Sequence, residues 1–387
     1  GDREHAFEAD FAKFVGAKYA VSVAGARLGL WLLLEDIRKR WGLGDVLVQG
    51  LTASIVPNII IAAGFRPVFV DVDLDTFSAD APQILDAVTS ETRAVIATHL
   101  EGFPVHVESL VKSLDGQDIM VIEDAAHALG AKVGKAKVGS IGHAAIFSFG
   151  KGKQLNAIAG GMVSSNDAEL TGRLRDGLEG KSMPGLSSNL TRYAVVQAMR
   201  LATRPGLFDL GLWPGIRACG VMGLDPLTEL FEDSLLPPGE EGPNVGREKL
   251  GHFQASLGSF GLKEYPAALR KRKELWKYLR NAAQRGGIKI QKALPGTTPV
   301  PLEFAIRVLD RARAQKWLRA NGVDSQATWM VAPSALKAVE DSSRGSCTNS
   351  EALAQELLYI PFYPSLRDAE VERLVTTLEN PVHGICS

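Results

Sequence analysis

Two short segments of this chain place chemistry-bearing side chains just after apolar runs. In Ile122-Glu123-Asp124-Ala125-Ala126-His127-Ala128-Leu129-Gly130, an apolar run leads into an acid and, three residues on, a histidine. A carboxylate carried by a strand to an open sheet end can keep a pyridine-type nitrogen protonated, so that the ring accepts electrons from a carbanion. His127 can reach the same ring. The structural alternative is that Asp124 caps the next helix. In Phe147-Ser148-Phe149-Gly150-Lys151-Gly152-Lys153-Gln154-Leu155, a run ends in a Gly-flanked loop with two lysines. A lysine forms a Schiff base only as a neutral amine, so burial or a neighbouring charge must lower its proton affinity. The small neighbours admit a bulky group, and Ser148 can donate to a phosphate. The plain reading, a solvated loop charge, suits Lys151 and, on these residues alone, also Lys153. A third segment, Ala24-Gly25-Ala26-Arg27, precedes the apolar stretch Leu28 to Leu34. A strand–Gly–helix entry presents backbone N–H groups at a positive dipole end, which suits phosphate. A tight turn would look the same.

The elements that must position these residues follow from the pattern around them. Seven apolar runs lie in the first half: Tyr19 to Val23, Val46 to Val48, Pro67 to Val72, Ala94 to Thr98, Ile119 to Ile122, Ala144 to Phe149 and Gly161 to Ser164. Most are β-branched and alternate with helical patterns, which predicts a largely parallel sheet covered on both faces. Such sheets bind ligands beyond the carboxyl ends of their strands. That rule singles out Ala24 to Arg27, His99, Asp124 to His127 and Ser148 to Lys153. Seven prolines interrupt residues 183–243, with a helix predicted from Leu190 to Ala202. Beyond, helices are predicted over Lys249 to Phe260, Glu264 to Gln284, Arg311 to Asn321 and Ala352 to Leu357. Short strands are predicted near Ile288 to Ile290 and Glu303 to Val308. The division is therefore 1–182 for a large domain, 183–243 for an insertion or linker, and 244–387 for a smaller α+β domain.

A chain of 387 residues is long enough for two cores. Its 43 basic and 44 acidic residues leave a net charge of −1, which gives no electrostatic case for nucleic acid. Cys219, Cys347 and Cys386 are far apart, so neither a disulfide framework nor a structural zinc site is expected, and a reducing compartment fits. No long uninterrupted apolar run is present.

Taken in order, the segments resemble the DegT/DnrJ/EryC1/StrS family of sugar aminotransferases, which are fold-type I enzymes dependent on pyridoxal 5'-phosphate (PLP). Gly16-Ala17-Lys18-Tyr19-Ala20-Val21 is similar to the family's opening. Further similar segments run from Gly64 to Asp73, from Thr98 to Pro104, from Gln254 to Gly258 and from Leu358 to Leu366. The most specific parts are the Asp124 and Lys153 segments and Gly160-Gly161 after them. The resemblance implies an α/β fold in which the large domain holds a mostly parallel seven-stranded sheet. It implies Lys153 as the Schiff-base and proton-shuttling residue, and Asp124 as partner of the pyridinium. His127 would meet the ring face or its hydroxyl, Ser148 the phosphate, and Gly25 and Ala26 the phosphate cup. It also implies a cytoplasmic homodimer with shared sites, moving an amino group from an amino acid, glutamate by resemblance, to a nucleotide-linked keto-sugar. Other PLP-dependent carbanion chemistry, or a non-catalytic homologue, remains open because of departures from the pattern. Ala24-Gly25-Ala26 replaces Ser-Gly-Thr, Ala53 stands where an aromatic residue covers the ring, and Ile158-Ala159 replaces Gly-Glu. Arg247 stands where an Asn reaches the partner's phosphate, and its charge would offset the lost hydroxyl. In residues 183–243, apolar side chains interleave with arginines. They would pack on the protein's own core or a dimer partner, or lie on an anionic membrane surface.

Overall fold

The computed structural model describes residues 2–202, 204–207, 210–211, 214–215, 248–336 and 347–382. The first half runs α1 (Asp2–Val15), β1 (Tyr19–Val23), α2 (Ala26–Trp41), β2 (Asp45–Gln49), α3 (Ile55–Ala62), β3 (Arg66–Val70), α4 (Ala81–Asp86), β4 (Thr92–Thr98), α5 (Val107–Ser113) and β5 (Met120–Asp124). A small hairpin follows, β6 (Lys132–Val133) and β7 (Ala136–Lys137), then β8 (Ala144–Ser148), β9 (Gly161–Ser165), α6 (Ala168–Asp176) and α7 (Leu186–Ala202). The second half contains α8 (His252–Arg285), β10 (Lys289–Ile290), β11 (Thr297–Thr298), β12 (Phe304–Arg307), α9 (Arg311–Ala320), β13 (Gln326–Ala327), α10 (Thr348–Glu356), β14 (Leu357–Ile360) and α11 (Asp368–Glu379).

All seven predicted runs of the first half are strands of one sheet, in the order β1-β9-β8-β5-β4-β2-β3. Only β9 runs against the others in this sheet. The runs read as continuously apolar because helices cover both faces. On one face, Val46, Val48, Ile96, Ile122 and Ile146 pack beneath Leu28, Leu33 and Ile37 of α2, Ile60 of α3 and Leu174 of α6. The intervening residues Leu47, Val95 and Val121 meet Ile84 of α4 and Leu110 of α5 on the other. Each such side chain contributes about 1.5–3 kcal/mol when fully buried. Gly29 lets α2 settle close to the sheet, since a Cβ there would stand 2.9 Å from Val163 Cγ2.

The second half folds around a four-stranded antiparallel sheet, β10-β12-β14-β13, packed with Leu279 of α8, Leu318 of α9 and Leu374 of α11. β11 instead pairs with β6 of the first half. The two helices predicted over 249–260 and 264–284 are one continuous helix containing Pro266. Proline inside a helix removes a hydrogen bond and costs about 3 kcal/mol. Here Leu262 and Tyr265 are buried against the first half, and the Tyr265 hydroxyl donates to Leu129 O at 2.7 Å. That anchoring offsets the proline.

Between the two halves, α7 is tied to α8 by Gln254 Nε2 donating to Asn189 Oδ1 at 2.8 Å. Leu190, Tyr193, Leu201, Leu207 and Leu210 are exposed. Phe208, Leu212 and Trp213 lie outside the described residues. No helix among the described residues is long and apolar enough to cross a membrane.

Candidate active site

The carboxyl ends of β1, β8 and β5 lie at one end of the sheet, with the start of antiparallel β9 between β1 and β8, and each delivers one predicted segment. Asp124 is the last residue of β5 and pairs with Ile146 of β8. Ser148, the last residue of β8, pairs with Gly161, which is flanked on its other side by Val23 of β1. A bridge between Gly25 and Gly160 continues this alignment. A Cβ on Gly161 would lie 2.6 Å from Ala26 N and 2.7 Å from Phe147 O, so only glycine allows the two loops to approach. α2 begins at Ala26 behind Gly25, with no side-chain cap. A Cβ on Gly25 would meet nothing within 4 Å. The positive end of a 16-residue helix thus opens beside Ser148.

Lys153 sits in a loop held from both ends. Phe149 N donates to Gly160 O, Ala157 N to Phe149 O and Lys153 N to Gly150 O. Leu155 and Ala157 bury into the apolar cluster beneath. Gln154 ties the loop outward, accepting from Leu129 N at 2.8 Å and donating to Val300 O at 2.6 Å. Lys153 Nζ reaches His127 Nε2 at 2.7 Å and stands 4.9 Å from the centre of the Trp329 ring. Lys151 is exposed.

Asp124 is buried and accepts from Ala126 N at 3.1 Å. Burial pushes its carboxyl above the ordinary range, and the Lys153 charge pulls part of the way back. Burial, followed by the Lys153 charge, holds His127 well below the ordinary histidine value, so its ring is neutral.

The pleat sends the preceding residue, Glu123, to a different task. It is fully buried and accepts from Gly139 N at 2.9 Å and from Ile141 N and Gly142 N, each at 2.8 Å. His99, expected from its strand-end position to face the site, is fully buried with Nε2 3.2 Å from Glu123 Oε2. His99 Nδ1 accepts from Val105 N, so Nε2 carries the proton and donates to Glu123. This carboxylate fixes the loop 139–142 that feeds β8. Glu123→Ala is expected to lower unfolding free energy by at least about 1–3 kcal/mol, because it strands buried donors of His99 and the 139–142 loop. The urea midpoint measures the loss.

Ala26 and Gly25 stand where they were expected, at the helix entry. Ala53 lies half-buried beside a segment from the second half, because Thr52 and Val331 exchange backbone hydrogen bonds at 3.1 and 2.9 Å. The same segment carries Trp329, whose ring packs edge-on to His127 at 5.2 Å between centroids. An aromatic ring is therefore present although position 53 is alanine. Trp329, Tyr359, Glu101 and Glu303 were not recognised from the sequence. Glu101 alone carried a signal, as an acid directly behind an apolar strand end. Arg247 lies outside the described residues.

A group with a carbonyl, a basic ring nitrogen and a phosphate fits this arrangement: amine at Lys153, buried carboxyl at Asp124, open helix end at Gly25. The sequence model of the DegT/DnrJ/EryC1/StrS aminotransferase family matches residues 1–193 and 240–379. Over 215 residues the chain is 35% identical to the spore coat polysaccharide biosynthesis protein SpsC of Bacillus subtilis, a match that spans about half of that relative (54% of each chain). It is 26% identical over 388 residues to UDP-N-acetyl-3-dehydro-alpha-D-glucosamine 3-aminotransferase of Acidithiobacillus ferrooxidans, covering 99% of this chain and 90% of that one. The fold matches the crystal structure of an aminotransferase from Psychrobacter cryohalolentis with a TM-score of 0.75 at 21% identity, covering 98% of this chain and 91% of the other. With the family's sequence pattern spread over both halves and its fold reproduced around the Lys153 site, the chain belongs to the DegT/DnrJ/EryC1/StrS aminotransferase family.

Proposed function

We propose that this protein is a PLP-dependent aminotransferase that moves an amino group from an amino acid, glutamate in the first instance, to a nucleotide-linked keto-sugar. The observation that carries the reading is the placement of Asp124 at the end of β5 and of Lys153 in the loop that follows the adjacent parallel strand β8, beside the open N-terminus of α2. When bound, PLP supplies a ring that takes up the negative charge left by loss of a proton from the donor carbon. Lys153 holds the cofactor covalently, then takes that proton and returns it to the neighbouring carbon. Asp124 keeps the ring nitrogen protonated. The backbone at Gly25 and Ala26, with Ser148, binds the phosphate through N–H groups and one hydroxyl. His127 meets the ring or its hydroxyl, and Trp329 supplies the aromatic face that Ala53 lacks. The working unit comprises 1–182 and 244–387, connected through 183–243.

The sugar part of the reading is supported by the Acidithiobacillus relative, whose name gives a UDP-linked 3-keto-sugar as substrate and whose match runs over nearly the full chain. We take the working form to be a cytoplasmic homodimer, with Arg247 directed to the partner's phosphate. The exposed apolar side chains of α7 are suited to such a subunit contact. A single-turnover experiment tests the activity. Mixing the PLP-loaded protein with glutamate is expected to shift its visible absorbance and release one 2-oxoglutarate per subunit, and a nucleotide-linked keto-sugar should reverse the shift. No absorbance change with any amino acid would remove the transamination reading.

A further inference from the structure

The proposed roles leave a buried acid beside Lys153 unused. Glu101 follows β4 and is 2% exposed. Its backbone lies in the left-handed region, at φ 51° and ψ 20°, which residues with a Cβ rarely occupy. The turn is clamped there by the second half of the chain. Leu302 N donates to Glu101 O and Val300 N to Gly102 O, each at 2.9 Å. A Cβ on Gly102 would overlap Val300 O at 2.0 Å. The carboxylate thus held faces groups from both halves. Oε1 accepts from the Tyr359 hydroxyl at 2.6 Å, and Tyr359 is itself 2.9 Å from Thr328 Oγ1. Oε2 makes no hydrogen bond among the described residues and lies 3.9 Å from His127 Nδ1. The opposite nitrogen of His127 is the one that meets Lys153 Nζ at 2.7 Å.

We propose that Glu101 is a positioning acid that acts through His127: its charge, 3.9 Å from Nδ1, favours the proton on that nitrogen, leaves Nε2 to accept from Lys153, and sets how firmly Lys153 keeps its own proton. The inference rests on the reading of Lys153 given above. Tyr359 of β14, Glu303 before β12, His127 after β5 and Lys153 after β8 all act on or near this carboxyl. Arg272 of α8 in turn faces Glu303. Burial pushes Glu101 up to about 7, the Tyr359 hydrogen bond and the Lys153 charge opposing it. Burial and the Glu101 charge push Glu303 up to about 8. At neutral pH and above, Glu101 therefore carries negative charge for part of the time or more. An anion near an ammonium in a dry site strengthens the ammonium's hold on its proton. Removing that anion should let Lys153 lose its proton at lower pH.

The test uses the full chain freed of cofactor. Lys153 is labelled with trinitrobenzenesulfonate across pH, and the product at each lysine is quantified by fragmentation mass spectrometry. The midpoint for Lys153 is expected to fall by one pH unit or more in Glu101→Gln, a tenfold loss of proton affinity, while the exposed Lys151 keeps its midpoint. Tyr359→Phe removes the hydrogen bond that favours the Glu101 anion, so it should shift Lys153 in the same direction by less. An unmoved or raised Lys153 midpoint in folded Glu101→Gln overturns the proposal. If that variant does not fold by circular dichroism, an unmoved midpoint in Tyr359→Phe does so. These midpoints are read without turnover, so loss of the transamination reading would leave them standing, and an unmoved midpoint would leave transamination intact.

Discussion

Lys153→Ala is expected to eliminate both the covalent hold on PLP and turnover. In the proposed reaction the amine attacks the cofactor carbonyl and later carries the proton, and the loop that presents it is fixed by the Phe149, Gln154 and Leu155 contacts. Loss of a positioned proton carrier alone costs about 10²–10⁴-fold in rate, and loss of the covalent link adds to that. Borohydride reduction followed by denaturation reads the bond directly. The parent should retain cofactor after this treatment, Lys151→Ala should retain it equally, and Lys153→Ala should release all of it. Cofactor retained on the Lys153 variant would move the assignment to another amine. The substitution should leave folding intact, because the loop's anchoring hydrogen bonds come from backbone and from Gln154.

Asp124→Asn is the second large effect, and it should appear in rate more than in binding. An amide matches the carboxylate in shape and can still accept from Ala126 N, so β5 and its turn should survive. It cannot hold a proton on the ring nitrogen, and the ring then takes up less of the developing negative charge. A hydrogen bond to a charged group is worth about 1.5–3 kcal/mol, which sets the expected loss in the proton-abstraction step at roughly 10- to 100-fold. Single-turnover absorbance with glutamate, at saturating PLP, measures that step. Parent-like rates would mean that Asp124 only shapes the strand end. The buried carboxyl is raised above its ordinary range by burial, so a cation beside it should bring it down. In the cofactor-free chain the raised value sets the sign: a carboxyl that holds its proton more tightly when folded stabilises the fold below its unfolded value, and that contribution is lost as pH rises through the folded value.

The two strand ends were legible because short β-branched apolar runs, alternating with helical patterns, depend on neighbours in the chain. That sufficed to place Asp124, Ser148 and Lys153 beyond one sheet edge, and Gly25-Ala26 at a helix entry. Local pattern could not tell Glu123 and His99, a buried structural pair, from site residues, since which face a side chain takes depends on what packs there. Nor could it foresee that α8 would run through Pro266, because the compensation comes from Leu262 and Tyr265 docking on a distant apolar cluster.

By itself, then, the chain's order of residues determined the α/β sheet, the candidate carriers of the chemistry and the family the chain belongs to. Each of these is written in short stretches whose meaning is local. Only the tertiary structure decided what surrounds Lys153. Trp329, Tyr359 and Glu303 arrive from the second half through the Thr52–Val331 bridge, the β12–β14 pairing and the clamp of Val300 and Leu302 on Glu101 and Gly102. Their separation from Lys153 along the chain is well over a hundred residues, and only packing of the two halves brings them to one site. Charge in that dry space is set by distance and burial, which no sequence spacing encodes.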